Sequence, residues 1–247
     1  MPTLSAVRRQ ILVGGDPADA YRLWIDDIGA WWPVEGFSCF GAGASVAFVG
    51  DHIVETAPDG RKTRWAEVIS TQHGSRLELS WHPGREASES TRVVVTFVGV
   101  PQAGTLITLE HDGWQGWPNP TGARADYRAG WRKVMCRLAD YAGSPGGADD
   151  VWLVLQHQAG PAAPPGGVMT SPDFALHGRF LRELGRRGVL VAAGPLVDRP
   201  GSGMAVVHTP DAATAVEVVN MAQDEDGSVV NELLVLLARP WKVIMSS

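Results

Sequence analysis

The side chains best equipped for chemistry in this chain are a few imidazoles and an excess of indoles. His177 lies in the run Phe174-Ala175-Leu176-His177, followed by Leu181 and Leu184. Those three- and four-residue steps place it on the apolar stripe of a helix, where it must face other protein and not bulk water. An imidazole titrates near pH 6.5, so small changes in surroundings decide whether it serves as base or acid. A carboxylate bonded to one ring nitrogen would fix the tautomer and leave the other nitrogen for proton transfer. The plainer alternative is a core histidine satisfied by a backbone carbonyl. His157 ends a strand expected over 151–156 and joins a cleft with His177 if both rise on the same face; otherwise it is a surface residue. Asp198, beside Arg199-Pro200-Gly201, reads as turn chemistry.

Eight of the ten tryptophans fall within the first 143 residues. An indole pairs a large apolar body with one N–H donor, which suits the wall of a half-wet cavity. Trp31, Trp32, Phe48, Trp65, Trp81, His111, Trp114 and Trp117 are the expected lining; the alternative is that they simply pack a core. Glu110-His111-Asp112 looks like an acid–base trio, but neighbours on a strand point to opposite faces, so Glu110 and His111 cannot share one cavity. His52, His73, His82 and His111 show no metal-ligand spacing. Gly41-Ala42-Gly43-Ala44 lacks the strand–helix setting of a dinucleotide loop, and no nucleophile-elbow serine or phosphate loop is present. No metal and no cofactor are expected.

A net charge of −6, and basic runs no longer than Arg61–Arg64, argue against nucleic acid as a partner. The first ten residues show no apolar signal segment, and runs such as Leu233–Ala238 are too short to span a bilayer, so no membrane partner is expected. Cys39 and Cys136, about a hundred residues apart, read as free buried thiols in a reducing cytoplasm.

The elements that must position these groups divide at Gly143–Asp150, a turn-rich stretch. The spacing predicts domains over 1–143 and 151–247 with a linker at 144–150. In the first, a strand near 6–13 precedes a helix opened by Asp16-Pro17 with Tyr21, Trp24, Ile25 and Ile28 as its stripe. Period-two alternation follows from 44 to 111, as in Arg76–His82. A helix over 121–141 closes the domain, striped by Tyr127, Trp131, Val134, Leu138 and Tyr141 with Arg124, Arg128, Arg132, Lys133 and Arg137 elsewhere. Such a curled meander closed by a helix leaves a cavity if its inward residues do not fill it. The second domain reads strand, helix, strand, strand, helix, strand, with 189–193 and 204–208 as central strands. That order is ferredoxin-like, and the whole chain is α+β.

The first domain resembles the helix-grip (START-like, SRPBCC) superfamily, and within it the Aha-type homology family of heat-shock ATPase activators. The matching residues are Ala30-Trp31-Trp32-Pro33, Val54-Glu55, Asp59-Gly60, Arg64–Val68, Leu79–Pro83, Leu109–Trp114 and Gly130-Trp131. That resemblance implies a fold and a hydrophobic ligand cavity but no single reaction. The second domain is similar to the YCII-related family of dimeric α/β-barrel proteins, through His177, Gly188–Leu196 and Arg239-Pro240-Trp241. In Glu225–Val229, Asp226 stands where that family has a key acid; Gly227 replaces its usual proline and Glu232 a usual glycine. The resemblance implies a His177–Asp226 site, although an Asp in this acidic loop also suits a turn. It also implies a homodimer through 151–247, which would cover the face that a lone four-stranded sheet leaves bare; the alternative is that the first domain covers that face within one chain.

The resulting expectation is a protein that binds a small hydrophobic or aromatic molecule in the tryptophan-rich domain and dimerises through the other. The alternative is an enzyme in which His177, oriented by Asp226, moves a proton in an elimination, dehalogenation or isomerisation of a small ring or lactone-like compound. Regulation of a chaperone ATPase is implied only by the first domain's family name.

Overall fold

The computed structural model describes residues 4–143, 145 and 149–244. Residues 144 and 146–148 of the expected linker lie outside the described residues, as do 1–3 and 245–247 at the ends of the expected domains. The chain divides into two compact units, residues 1–98 with 105–144, and residues 99–104 with 145–247.

The first unit is one seven-stranded antiparallel sheet with helices packed on it. Its elements are β1 (Val7–Val13), α1 (Pro17–Asp26), α2 (Ile28–Trp31), β2 (Ser45–Val49), β3 (His52–Thr56), β4 (Lys62–Gln72), β5 (Arg76–Trp81), β6 (Thr91–Val100), β7 (Gly104–Asp112) and α3 (Pro120–Ala142). The strand order is β1-β7-β6-β5-β4-β3-β2. The meander therefore runs in sequence order, and β1 returns to pair with β7, Val7 opposite His111. Register shifts at Ile53/Val54 and Val68/Ser70 add twist, which curls the sheet. Both long helices start as their sequences dictate: Asp16 accepts from Asp19 N and Asn119 from Gly122 N, each followed by a first-turn proline. Trp131, Val134, Met135 and Leu138 of α3 close over Leu77, Leu79, Val93, Val95, Ile107 and Leu109 of the sheet.

Several expectations for this unit are corrected. Ile28 is not on the stripe of α1, because the chain breaks at Asp27 and restarts as α2. Tyr141 is exposed, since helical spacing sets a direction but burial needs something opposite. Arg124 leaves the solvated face of α3 and is buried, its Nε donating to Ser5 O at 2.7 Å. Cys39 and Cys136 are both free and exposed, not buried.

The second unit contains β8 (Asp149–Ala159), α4 (Phe174–Arg186), β9 (Leu190–Pro195), β10 (Gly203–Asp211), α5 (Ala212–Asp224), α6 (Gly227–Val230) and β11 (Leu234–Pro240). Its sheet runs β11-β8-β10-β9, with every pairing antiparallel. Leu153, Leu155 and His157 of β8, Ala205, Val207 and Thr209 of β10, and Leu234, Leu236 and Ala238 of β11 are buried. The alternate residues Trp152, Val154, Val206, Val235 and Leu237 are only half-buried on the other face. Two expectations change here. The 189–193 strand is an edge and β8 is central, because pairing order is not written in local periodicity. The short α6 is an addition, four residues being too few to show a period. Among the described residues, no helix is long and apolar enough to cross a membrane.

Candidate functional site

His177, in the first turn of α4, is buried on the helix face that meets the sheet. Its Nδ1 lies 2.7 Å from Asp226 Oδ2. Asp226 is fully buried, and its two oxygens have separate duties. Oδ1 accepts from Ser228 N at 3.0 Å and so caps α6; Oδ2 faces the imidazole. The turn acid and the histidine partner are therefore the same residue. A carboxylate oxygen accepts, so in this contact His177 Nδ1 is the donor and Nε2 is the nitrogen turned away from Asp226. Ser228 locks the two elements together: its hydroxyl accepts from His177 N at 3.1 Å and donates to Asp173 O at 2.6 Å.

Two positions beside the site carry backbone or packing constraints. A Cβ at Gly227 would lie 2.7 Å from Leu176 Cδ1 and 3.0 Å from its Cβ, so glycine lets the capping turn approach α4 without displacing Leu176. Glu232 adopts φ +59°, the left-handed region in which glycine is unstrained. Its carbonyl accepts from Ala162 N at 3.1 Å, which holds the turn despite the strain.

His157 projects from β8 toward α4, and its ring centre lies 4.4 Å from that of His177, at 63°. It is buried and its Nε2 has no hydrogen-bond partner. Burial pushes its pKa down to about 4, so it is neutral at neutral pH. His157, His177 and Asp226 offer ligand atoms that all lie within 4.8 Å of one another. Sequence alone points to these three residues for proton transfer; it does not reveal that a strand, a helix and a cap bring all of their ligand atoms so close together. Beside them lies a cavity of about 210 Å³. Phe174, Leu181, Met204 and Leu234 make its apolar wall, and His157 and His177 its imidazole edge. Asp198 is exposed and outside that lining, within a turn closed by Arg199 N to Leu196 O and Ser202 N to Arg199 O.

In the first unit a more open cleft of about 240 Å³ is lined by Trp32, Phe37, Trp81, Tyr127, Trp131 and Val134 among others. Of the eight expected lining residues, only Trp32 and Trp81 reach it. Trp31 packs on Trp24 and donates to Leu23 O at 3.2 Å. Trp65 is buried and donates to Glu55 Oε2 at 2.8 Å. Trp114 is fully buried against His111. Phe48 is half-buried against the core, and Trp117 lies under the Arg85 guanidinium while donating to Glu89 O at 2.8 Å. The indoles touch in a chain, Trp24–Trp31–Trp32–Trp81–Trp131, with centroids 5.1–5.8 Å apart. They fill most of the interior and wall only its rim. Trp131 and Tyr127 were legible as an apolar helix stripe, but a stripe alone does not distinguish core from cleft.

His111 is fully buried with both nitrogens engaged, which excludes it from any cavity. An indole only donates, so Trp131 Nε1 gives its hydrogen to His111 Nδ1 at 2.8 Å. His111 Nε2 must then carry the proton and donate to Thr91 Oγ1 at 2.7 Å, and Thr91 in turn donates to Trp81 O at 2.9 Å. Burial pushes the His111 pKa down to about 3. Glu110 is on the other face, paired with Arg8.

The profile of the family described as Activator of Hsp90 ATPase homolog 1-like protein matches residues 16–143, more than half of the chain. The chain belongs to this family. No curated protein matches the sequence. Among solved structures it is similar to MLL2253 from Mesorhizobium loti, at 18% identity and TM-score 0.42, over 55% of this chain and 94% of that one. It is likewise similar to the Aha1 dimer from Colwellia psychrerythraea, at 17% identity and TM-score 0.42, over 56% and 96%. A third is CalC from Micromonospora echinospora, titled a self-sacrificing resistance protein, at 17% identity and TM-score 0.40, over 56% and 94%.

Proposed function

We propose that this member of the Aha1-like family carries a proton-transfer site for a small, mostly apolar molecule in its second unit. The observation that supports it is the buried 2.7 Å contact of His177 Nδ1 with Asp226 Oδ2 at the edge of an apolar cavity. Asp226 holds the imidazole in one tautomer and orientation, and Nε2 is the nitrogen left to take a proton from carbon. The apolar wall excludes water, which strengthens every charge interaction inside. The strand order and helix placement support a ferredoxin-like reading of this unit, and with it the YCII-like resemblance. The half-buried face of Trp152, Val154, Val206, Val235 and Leu237 then serves as the contact with a second copy of the chain.

The test is hydrogen–deuterium exchange at carbon. Small cyclic ketones and lactones in D2O, followed by 1H NMR, should lose their α-protons faster with protein than with buffer. His177→Gln should abolish the acceleration while the fold persists. Equal rates for the two proteins would refute the reading.

A second reading is favoured by the cleft of Trp32, Trp81, Trp131 and Tyr127: it binds a small aromatic or other hydrophobic molecule by stacking. Such a ligand should change the tryptophan fluorescence of the protein, and Trp81→Leu should weaken the response.

A further inference from the structure

We infer that His157, His177 and Asp226 form a binding site for a divalent transition-metal ion of the zinc type. The starting point is an orphan. His157 Nε2 is buried without a hydrogen-bond partner, and a native protein seldom leaves a buried nitrogen unpaired without a use for it. The groups around it are the ones such an ion takes. Two imidazoles and a carboxylate offer ligand atoms within 4.8 Å of one another, and all three side chains are buried. Two imidazoles with one carboxylate are a borderline donor set that suits Zn2+, not the all-oxygen set of Mg2+ or Ca2+.

Electrostatics and mounting agree with this donor set. The carboxylate of Asp226 supplies a negative charge to offset the ion. Each ligand is borne by a separate ordered element: His157 by β8, His177 by α4 and Asp226 by the start of α6. Ser228, bonded to both His177 N and Asp173 O, fixes the helix relative to the cap. Three protein ligands leave one tetrahedral position for water or a ligand from the adjacent cavity, which is the pattern of an open site and not of a closed structural one. Binding exchanges the His177–Asp226 hydrogen bond for two metal bonds.

The site shares residues with the proton-transfer reading, and the two chemistries compete for the His177 lone pair. An ion-loaded protein should therefore lose the carbon-exchange activity that the metal-free protein shows. The two readings can fail separately.

The experiment is titration of the full-length, chelator-treated protein with Zn2+ at pH 7.5 by calorimetry, and with Co2+ by visible absorption. One equivalent of Zn2+ is expected, together with a Co2+ spectrum of four-coordinate intensity. His157→Phe keeps the volume filled and removes a ligand, and should weaken binding roughly 100-fold or more. Asp226→Asn should do likewise. His208→Ala, at the exposed His208–Asp150 pair, should leave the affinity unchanged. Unfolding curves for each variant separate lost binding from lost structure. No stoichiometric binding, or full affinity retained in a folded His157→Phe protein, would overturn the inference and leave the exchange assay as an independent test of the dyad.

Discussion

The buried His111 should make the first unit acid-sensitive in a way that one substitution can isolate. The native ring stays neutral down to about pH 3, because burial deprives its charged form of water. The unfolded ring protonates near 6.5. Between those values the unfolded state binds a proton that the native state does not, so stability rises with pH, by about 1.4 kcal/mol per unit. The contribution is fully present above pH 6.5 and is lost as pH falls toward 3. From pH 7 to 4.5 the loss is about 2.5 kcal/mol for this group alone, a large part of a typical domain's 5–15 kcal/mol. Tryptophan fluorescence during urea unfolding reports mainly on this unit, which holds eight of the ten indoles. His111→Gln retains an acceptor and a donor but cannot titrate in this range. Wild type and variant should differ in their pH slopes between 4.5 and 6.5, the variant being flatter. Parallel slopes would refute the neutral, doubly bonded ring.

Four further outcomes are expected. Asp226→Asn should move the His177 ring hydrogen from Nδ1 to Nε2, since the amide can donate to Nδ1; 15N shifts of the imidazole will show whether the tautomer changes. Glu232→Gly should stabilise the second unit by about 1 kcal/mol in chemical denaturation, because φ +59° is strained for glutamate and free for glycine. Gly29→Ala should destabilise the first unit by roughly 2 kcal/mol or more, because its Cβ would sit 2.7 Å from the fixed carbonyl of Val46; an unchanged melting temperature would contradict that packing. Val154→Lys on the half-buried sheet face should convert a dimer into a monomer in light scattering, and a wild-type monomer would remove the homodimer proposal.

Much of this protein was determined by local sequence. Asp16-Pro17 and Asn119-Pro120 mark the starts of α1 and α3 locally, because the cap bonds involve residues three apart. Alternation in Arg76–Trp81 gave a strand with Leu77, Leu79 and Trp81 inward, since the pleat has a fixed period. His177 was placed on a buried helix face for the same kind of reason. The tertiary structure decided everything that depends on residues far apart in the chain. Whether an indole plugs or lines was set by what stood around it: Trp65 found Glu55, and Trp81 packed on Trp131 at the edge of a cleft. The order β11-β8-β10-β9 put His157 on a central strand under α4, although local spacing made it a strand-end histidine. Asp226 met His177 across 49 residues because Gly227 and Ser228 let the capping turn close on α4. Periodicity specifies which way a side chain points, but only the folded chain specifies what it meets.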